Sequence, residues 1–193
     1  MCVIMVKPAN VAMPDMQELE AAYRCNPNGC GFISSEGKSF KGLNFAKFCK
    51  AISKVKDSEA CIIHFRLATH GSIKPANCHP FNCDGVWFAH NGILGVKPRG
   101  DMTDSETAFR DILHPVIEKY GIASPQASTA INTIIGSSKF AFMIDGKITL
   151  YGHYENINGL YYSNTRHMAS PIFMRPSRDI SWDEYLKLRY AHS

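Results

Sequence analysis

Apolar positions fall in short runs and helical stripes along the chain. Residues 2–6 are apolar and rich in β-branched side chains, which predicts a buried strand that stops at Lys7-Pro8. Asp15 is placed to cap a short helix carrying Gln17, Leu19, Ala22 and Tyr23. Asn26-Pro27-Asn28-Gly29 spells a turn, after which residues 30–33 read as a strand. Asn44 opens a second helix in which Phe45, Phe48, Cys49 and Ile52 share one face. Residues 60–65 and 85–89 are further apolar strands.

Thr103 and Glu106 have the spacing of a capping box, and Phe109, Ile112, Leu113, Val116 and Ile117 carry one apolar face on to a stop at Gly121. Ser124 caps the next helix, Pro125 takes its first position and Gly136 ends it. Residues 140–144 and 148–151 flank Asp145-Gly146, the signature of a hairpin. Residues 160–163 predict a late strand. Ser181-Trp182-Asp183-Glu184 predicts the start of a last helix, with Lys187 and Arg189 suited to its C-terminal end. No repeat, low-complexity tract or linker breaks this order. Strands and helices come in groups and not in strict βαβ alternation, so the class is α+β with antiparallel sheet covered by helices.

Composition narrows the class without changing it. With 193 residues, 45% hydrophobic and 20% charged, the chain is expected to form a single domain over residues 1–193 with a sizeable core. Disorder, collagen-like repeats and coiled coils are excluded. Lys+Arg exceeds Asp+Glu by 21 to 17, a net charge of +4, and the basic residues are scattered. Their one dense group, Lys47, Lys50, Lys54 and Lys56, reads as the solvated face of a helix, so nucleic acid is not an expected partner. No stretch approaches the ~18 apolar residues of a membrane span, and no secretory signal is present, so no membrane role is expected. A chain of this size does not need disulfide staples, so its seven cysteines read as free thiols in a reducing cytoplasm.

Four places offer chemistry. Removal of the initiator Met would leave Cys2 with its own α-amine, reference pKa ~7.7–8.0, beside its thiol, so one residue supplies nucleophile and base. The ordinary alternative is a buried apolar cysteine in the first strand. His64-Phe65-Arg66-Leu67-Ala68-Thr69-His70-Gly71 leaves a strand for a polar loop, where Arg66 can clamp a carboxylate or be a surface charge. Asn77-Cys78-His79-Pro80-Phe81 precedes His90-Asn91-Gly92. The Asn-Gly pair is commonly a hairpin turn, yet its side-chain amide and backbone N–H also suit an oxyanion hole. Thr103-Asp104-Ser105-Glu106 reads as a helix cap whose Asp104 can equally hold an ammonium group. Cys25-x4-Cys30 and Cys78-His79-x3-Cys83 have thiolates and imidazole enough for zinc. Their spacing is wider than C-x2-C, and other features account for the residues, so no metal site is expected.

The order of these motifs resembles the class II glutamine amidotransferases, whose glutaminase domain is an N-terminal-nucleophile hydrolase. The resemblance rests on Cys2, residues 66–71, Asn77-Cys78-His79-Pro80, His90-Asn91-Gly92 and residues 103–106. Asn28-Gly29-Cys30-Gly31 is similar to the family's early glycine-bearing turn, and Tyr161-Tyr162-Ser163-Asn164 to a later strand. The fold it implies is a four-layer αββα sandwich of antiparallel sheets.

The activity it implies is hydrolysis of the glutamine side-chain amide to glutamate and ammonia, without a cofactor. Cys2 Sγ forms a thioester, and Asn91 and Gly92 stabilise the oxyanion, at about 2.7–4 kcal/mol per donor in comparable sites. Arg66 binds the substrate α-carboxylate, Asp104 binds its α-ammonium, and Thr69 and His70 line the covering loop. Leu67 stands where the family often has an aromatic residue, and Cys78 replaces a small one. These departures bear on substrate handling. The alternatives are an amidase for another γ-glutamyl compound and a non-catalytic relative that regulates a partner. The glutaminase domain would fill 193 residues without an acceptor domain, so ammonia is expected to pass to a separate synthase subunit or to solvent.

Overall fold

A computed structural model describes residues 2–68 and 71–170, together with Glu184 and Lys187. Among the described residues, ten strands form two antiparallel sheets. The six-stranded sheet contains β1 (Val3–Lys7), β2 (Cys30–Ser34), β3 (Ser39–Gly42), β4 (Cys61–Phe65), β9 (Glu155–Ile157) and β10 (Leu160–Tyr162). Its order is β3-β2-β4-β1-β10-β9. The four-stranded sheet has the order β5-β6-β7-β8, from β5 (Phe81–Cys83), β6 (Val86–Asn91), β7 (Lys139–Ile144) and β8 (Lys147–Tyr151).

The central strands read as unbroken apolar runs because both of their faces are covered. On one face of the larger sheet, Val3, Met5, Phe32, Ile63 and Phe65 pack against α1 (Met16–Cys25) and α2 (Phe45–Ile52) through Leu19, Phe48 and Ile52. On the other face, Ile4, Val6, Ile33 and Ile62 meet Ala89, Ala141 and Met143 of the smaller sheet. The smaller sheet turns Phe88, Phe140 and Phe142 outward onto Phe109, Leu113, Ile117, Ala127 and Ile131. The layers are therefore helix, sheet, sheet, helix, as the family resemblance implies, and they agree with the α+β pattern of the sequence. Burying each of these large apolar side chains is worth roughly 1.5–3 kcal/mol.

The helix caps lie where the sequence puts them. Asp15, Asn44, Thr103 and Ser124 each accept a backbone N–H three residues on. One helix differs from expectation. The stripe from residue 104 to Gly121 is three pieces: α3 (Asp104–Ala108), a π-turn (Phe109–Leu113) and α4 (His114–Tyr120). Pro115 cannot donate to the carbonyl four residues back, and the chain widens there so that the His114 N–H reaches Phe109 O. After it comes α5 (Pro125–Ile135). Lys7 also differs: it belongs to β1 and is buried, its Nζ donating to the carbonyls of Asp57 (2.7 Å) and Glu59 (2.6 Å). The start of the expected last helix, residues 181–183, lies outside the described residues, while Glu184 and Lys187 are helical.

Candidate active site

The pocket forms where β1 begins and β4 and β6 end. β1 and β4 pair with Val3 opposite Phe65, which sets Cys2 beside the residues that follow β4. Cys2 Sγ accepts the Leu67 N–H at 3.3 Å and lies 3.5 Å from the Leu67 carbonyl. Burial raises the Cys2 thiol above its ordinary pKa, while the Leu67 N–H and the Arg66 guanidinium act against that rise. A thiol held mostly protonated needs a base before it can attack.

Arg66 is placed by backbone. Its N–H donates to Gly29 O at 2.7 Å, and its carbonyl receives the Asn28 N–H at 2.9 Å. Asn28 Oδ1 in turn accepts the Ala68 N–H at 3.0 Å, so the turn after α1 fixes the backbone of residues 66–68. The buried guanidinium donates through Nη1 to Ser72 O at 3.0 Å, and Asn77 Nδ2 ties to the same carbonyl at 2.9 Å.

Gly92 follows β6 at φ +148°. A Cβ there would stand 2.1 Å from Ser138 Oγ and 2.9 Å from Ser138 Cα, so this position admits only glycine. Asp104 is the first residue of α3 and is half-buried. Its Oδ1 accepts the Ser105 N–H at 2.8 Å and its Oδ2 the Leu94 N–H at 3.1 Å, which leaves acceptor capacity facing the pocket. Cys2, Arg66, Leu67, Ala68, Gly92 and Asp104 all line this one pocket, with Asn77, His79 and Ser105.

Asn91 stands apart from that lining. It is buried, and its Nδ2 donates to Ser163 Oγ at 2.8 Å. Thr69 and His70 lie outside the described residues. Ser163 and Asn164 are contacts that sequence reasoning left without a role: Asn164 Nδ2 donates to the Cys2 carbonyl at 2.8 Å, and Ser163 Oγ accepts the Ile4 N–H at 2.8 Å. The signal was the polar pair directly after an apolar strand.

Three imidazoles back the pocket. The His64 and His79 rings lie 4.4 Å apart, and His79 and His90 6.3 Å apart. Burial drives His64 down to about 3 and His90 to about 4, and it holds His79 well below the usual imidazole range. The site therefore has a neutral, imidazole-lined floor. All seven cysteines are free thiols. Cys30 and Cys78 turn their sulfurs to one carbonyl, Gly42 O, at 3.6 and 3.5 Å. No helix among the described residues is long and apolar enough to cross a membrane.

Comparison with known proteins fits this geometry. The family model for the class II glutamine amidotransferases matches residues 34–149, more than half of the chain. A Saccharomyces cerevisiae (strain Lalvin EC1118) protein named as a glutamine–fructose-6-phosphate aminotransferase (isomerizing) is 35% identical over 79 residues, 32% of this chain and 26% of that protein. A Schizosaccharomyces pombe protein of the same name is 36% identical over 88 residues, covering 40% of this chain and 12% of its own length. The chain thus matches only a small part of these relatives. The glutamine phosphoribosylpyrophosphate amidotransferase of B. subtilis, solved with ADP and GMP, shares the fold with a TM-score of 0.53 at 17% identity, over 87% of this chain and 43% of that one. With the layered fold, this family match identifies the chain as a member of the class II glutamine amidotransferases.

Proposed function

We propose that this chain is a glutaminase that releases ammonia from glutamine through a thioester on Cys2. The observation that carries the reading is one pocket lined by Cys2, Arg66, Gly92 and Asp104. These are groups for attack, carboxylate binding, oxyanion stabilisation and ammonium binding. With Met1 removed, the Cys2 α-amine takes the thiol proton as Sγ adds to the amide carbon. The Gly92 N–H and the Asn91 side-chain amide receive the oxyanion. Collapse breaks the C–N bond, and the amine returns the proton to the departing ammonia. Water then adds to the thioester and frees glutamate and the thiol. Arg66 holds the α-carboxylate, Asp104 holds the α-ammonium, and Thr69 and His70 belong to the loop over the substrate. Residues 1–193 form a single glutaminase domain in this reading, and the ammonia passes to a separate synthase subunit in the cytoplasm.

A second reading, an amidase for a larger γ-glutamyl amide, is favoured by a groove of about 430 Å³ that adjoins the pocket at Ile93, Thr103 and Asp104. Mass spectrometry after treatment with an electrophilic glutamine analogue tests both. One adduct on the Cys2 α-amine form is expected, and Cys2→Ala should remove both adduct and ammonia release. Full turnover by a chain that retains Met1 would sink the mechanism. Comparing release from glutamine and from γ-glutamyl amides of larger amines separates the two substrates.

A further inference from the structure

At the far end of the smaller sheet, β5 and β6 join through Asp84-Gly85. Both residues have positive φ, +47° and +83°, and Cys83 pairs with Val86 across the turn. This is the tight turn that matches the twist of paired strands, and it holds the Asp84 carboxylate out from the hairpin tip. The π-turn that precedes Pro115 delivers His114 to the same place. Cys83 Sγ, an Asp84 carboxylate oxygen and a His114 ring nitrogen all lie within 4.8 Å of one another. Asp84 Oδ2 is 3.4 Å from Cys83 Sγ and 3.4 Å from His114 Nε2.

The His114 side chain is more than nine-tenths buried, with 7% exposed, and its Nε2 makes no hydrogen bond. The Asp84 carboxylate 3.4 Å away does not hydrogen-bond it, so an ion held between the two would satisfy a buried nitrogen that otherwise costs free energy. A tetrahedral ion with bonds of about 2.0–2.3 Å sets its ligand atoms roughly 3.4–3.6 Å apart. Two of the three separations here already have that length. Thiolate, imidazole and carboxylate together suit a borderline cation and not magnesium or calcium, which take oxygen ligands.

We propose that Cys83, Asp84 and His114 form a binding site for a zinc-type divalent cation, with water in the fourth position. The ion ties the hairpin turn to the start of α4. β6 runs from this turn to the pocket, a distance of roughly 17 Å at ~3.4 Å per residue, so the site is separate from the glutaminase centre. Its failure and the failure of the glutaminase reading are therefore independent.

The test titrates zinc, and then cobalt, into the reduced full chain and its variants. One equivalent should bind, and it should bind equally in Cys2→Ala, which excludes the pocket thiol. Cys83→Ser should raise the Kd at least about tenfold, a loss no smaller than removing an outer-shell partner causes. The thiolate-to-cobalt absorption should vanish in that variant, and so should the zinc-induced rise in melting temperature. His114→Gln should act likewise. Should that variant not fold, Cys83→Ser at its half-exposed turn decides alone. Absence of binding, or a Kd and cobalt spectrum unchanged in Cys83→Ser, overturns the proposal.

Discussion

Asn91 Nδ2 and the Ile4 N–H both point at Ser163 Oγ, each at 2.8 Å, while Asn91 Oδ1 is buried without a partner. Both acceptor positions of the hydroxyl are thereby used and its own proton is not. Exchanging the two ends of the amide resolves both shortages. In that orientation the Ser163 O–H would donate to Asn91 Oδ1, and Nδ2 would be the donor that the proposed oxyanion role requires. Ser163 in this account is a positioning residue that acts through Asn91.

Removing Asn91 should therefore slow chemistry more than binding. Asn91→Ala is expected to lower kcat about 10²–10³-fold, the usual cost of one oxyanion donor, with KM little changed. Ser163→Ala should lower kcat less, roughly tenfold, and should also destabilise the fold by about 1–3 kcal/mol, because the Ile4 N–H loses its acceptor. Steady-state kinetics with denaturant melts measure both effects. A wild-type kcat in Asn91→Ala would remove the side chain from the mechanism.

These two residues also show where the sequence was legible. Strands β1, β4 and β7 announce themselves as apolar runs because they lie between layers. β3 and β9 are half-exposed edge strands with no apolar period to betray them. Within the site, Arg66, Gly92 and Asp104 were readable because each sits in a motif of fixed local order. Ser163 and Asn164 work through contacts 159 and 162 residues away; the polar pair after an apolar strand marks the two residues but not their partners. The three imidazoles were hidden for a similar reason: each is a lone histidine in its own segment, and only strand pairing brings them together.

That imidazole cluster gives the fold a defined acid sensitivity. His64 and His90 are held at about 3 and about 4, and His79 is lowered too, so all three are neutral in the folded protein at pH 6.5. The unfolded chain protonates them below ~6.5 and so binds more protons there, which means stability falls as pH drops. It should be fully present above pH 7 and decline between pH 6.5 and 5 by about 2 kcal/mol each for His64 and His90. Denaturant melts at pH 8, 6.5 and 5 read this directly. The window lies above the carboxylate range, so a flat profile across it refutes neutral burial.

Gly92 should tolerate no side chain. A Cβ would meet Ser138 Oγ at 2.1 Å, and the backbone at φ +148° is strained for any other residue. Gly92→Ala is expected to cost more than about 2 kcal/mol and to abolish turnover. Adding Ser138→Gly should restore only part of the stability, because Ser138 Cα would still lie 2.9 Å from the new methyl group. Thermal melts of the single and double variants check this, and full rescue by Ser138→Gly would show the side chain to be the whole obstacle.

Arg66 and Asp104 are predicted to set affinity for the glutamyl end while leaving the chemical step nearly intact. Each would make a charge-assisted contact with glutamine, and such contacts are worth about 1.5–3 kcal/mol, or roughly 10–150-fold in binding. Arg66→Lys gives up the planar fork, and with it either the substrate carboxylate or the tether to Ser72 O. Asp104→Asn removes the charge that attracts the ammonium and one acceptor used by the Leu94 and Ser105 N–H groups, so its melting temperature should fall as well. Both variants should raise KM at least about tenfold and change kcat by much less. For Arg66→Lys the rise should be the same for glutamine and for γ-glutamyl amides of larger amines, since Arg66 lines the pocket but not the adjoining groove that would hold a larger amine, whereas Asp104 lines both. A rise confined to one substrate would place Arg66 or Asp104 in leaving-group recognition, and an unchanged KM would remove that residue from the clamp.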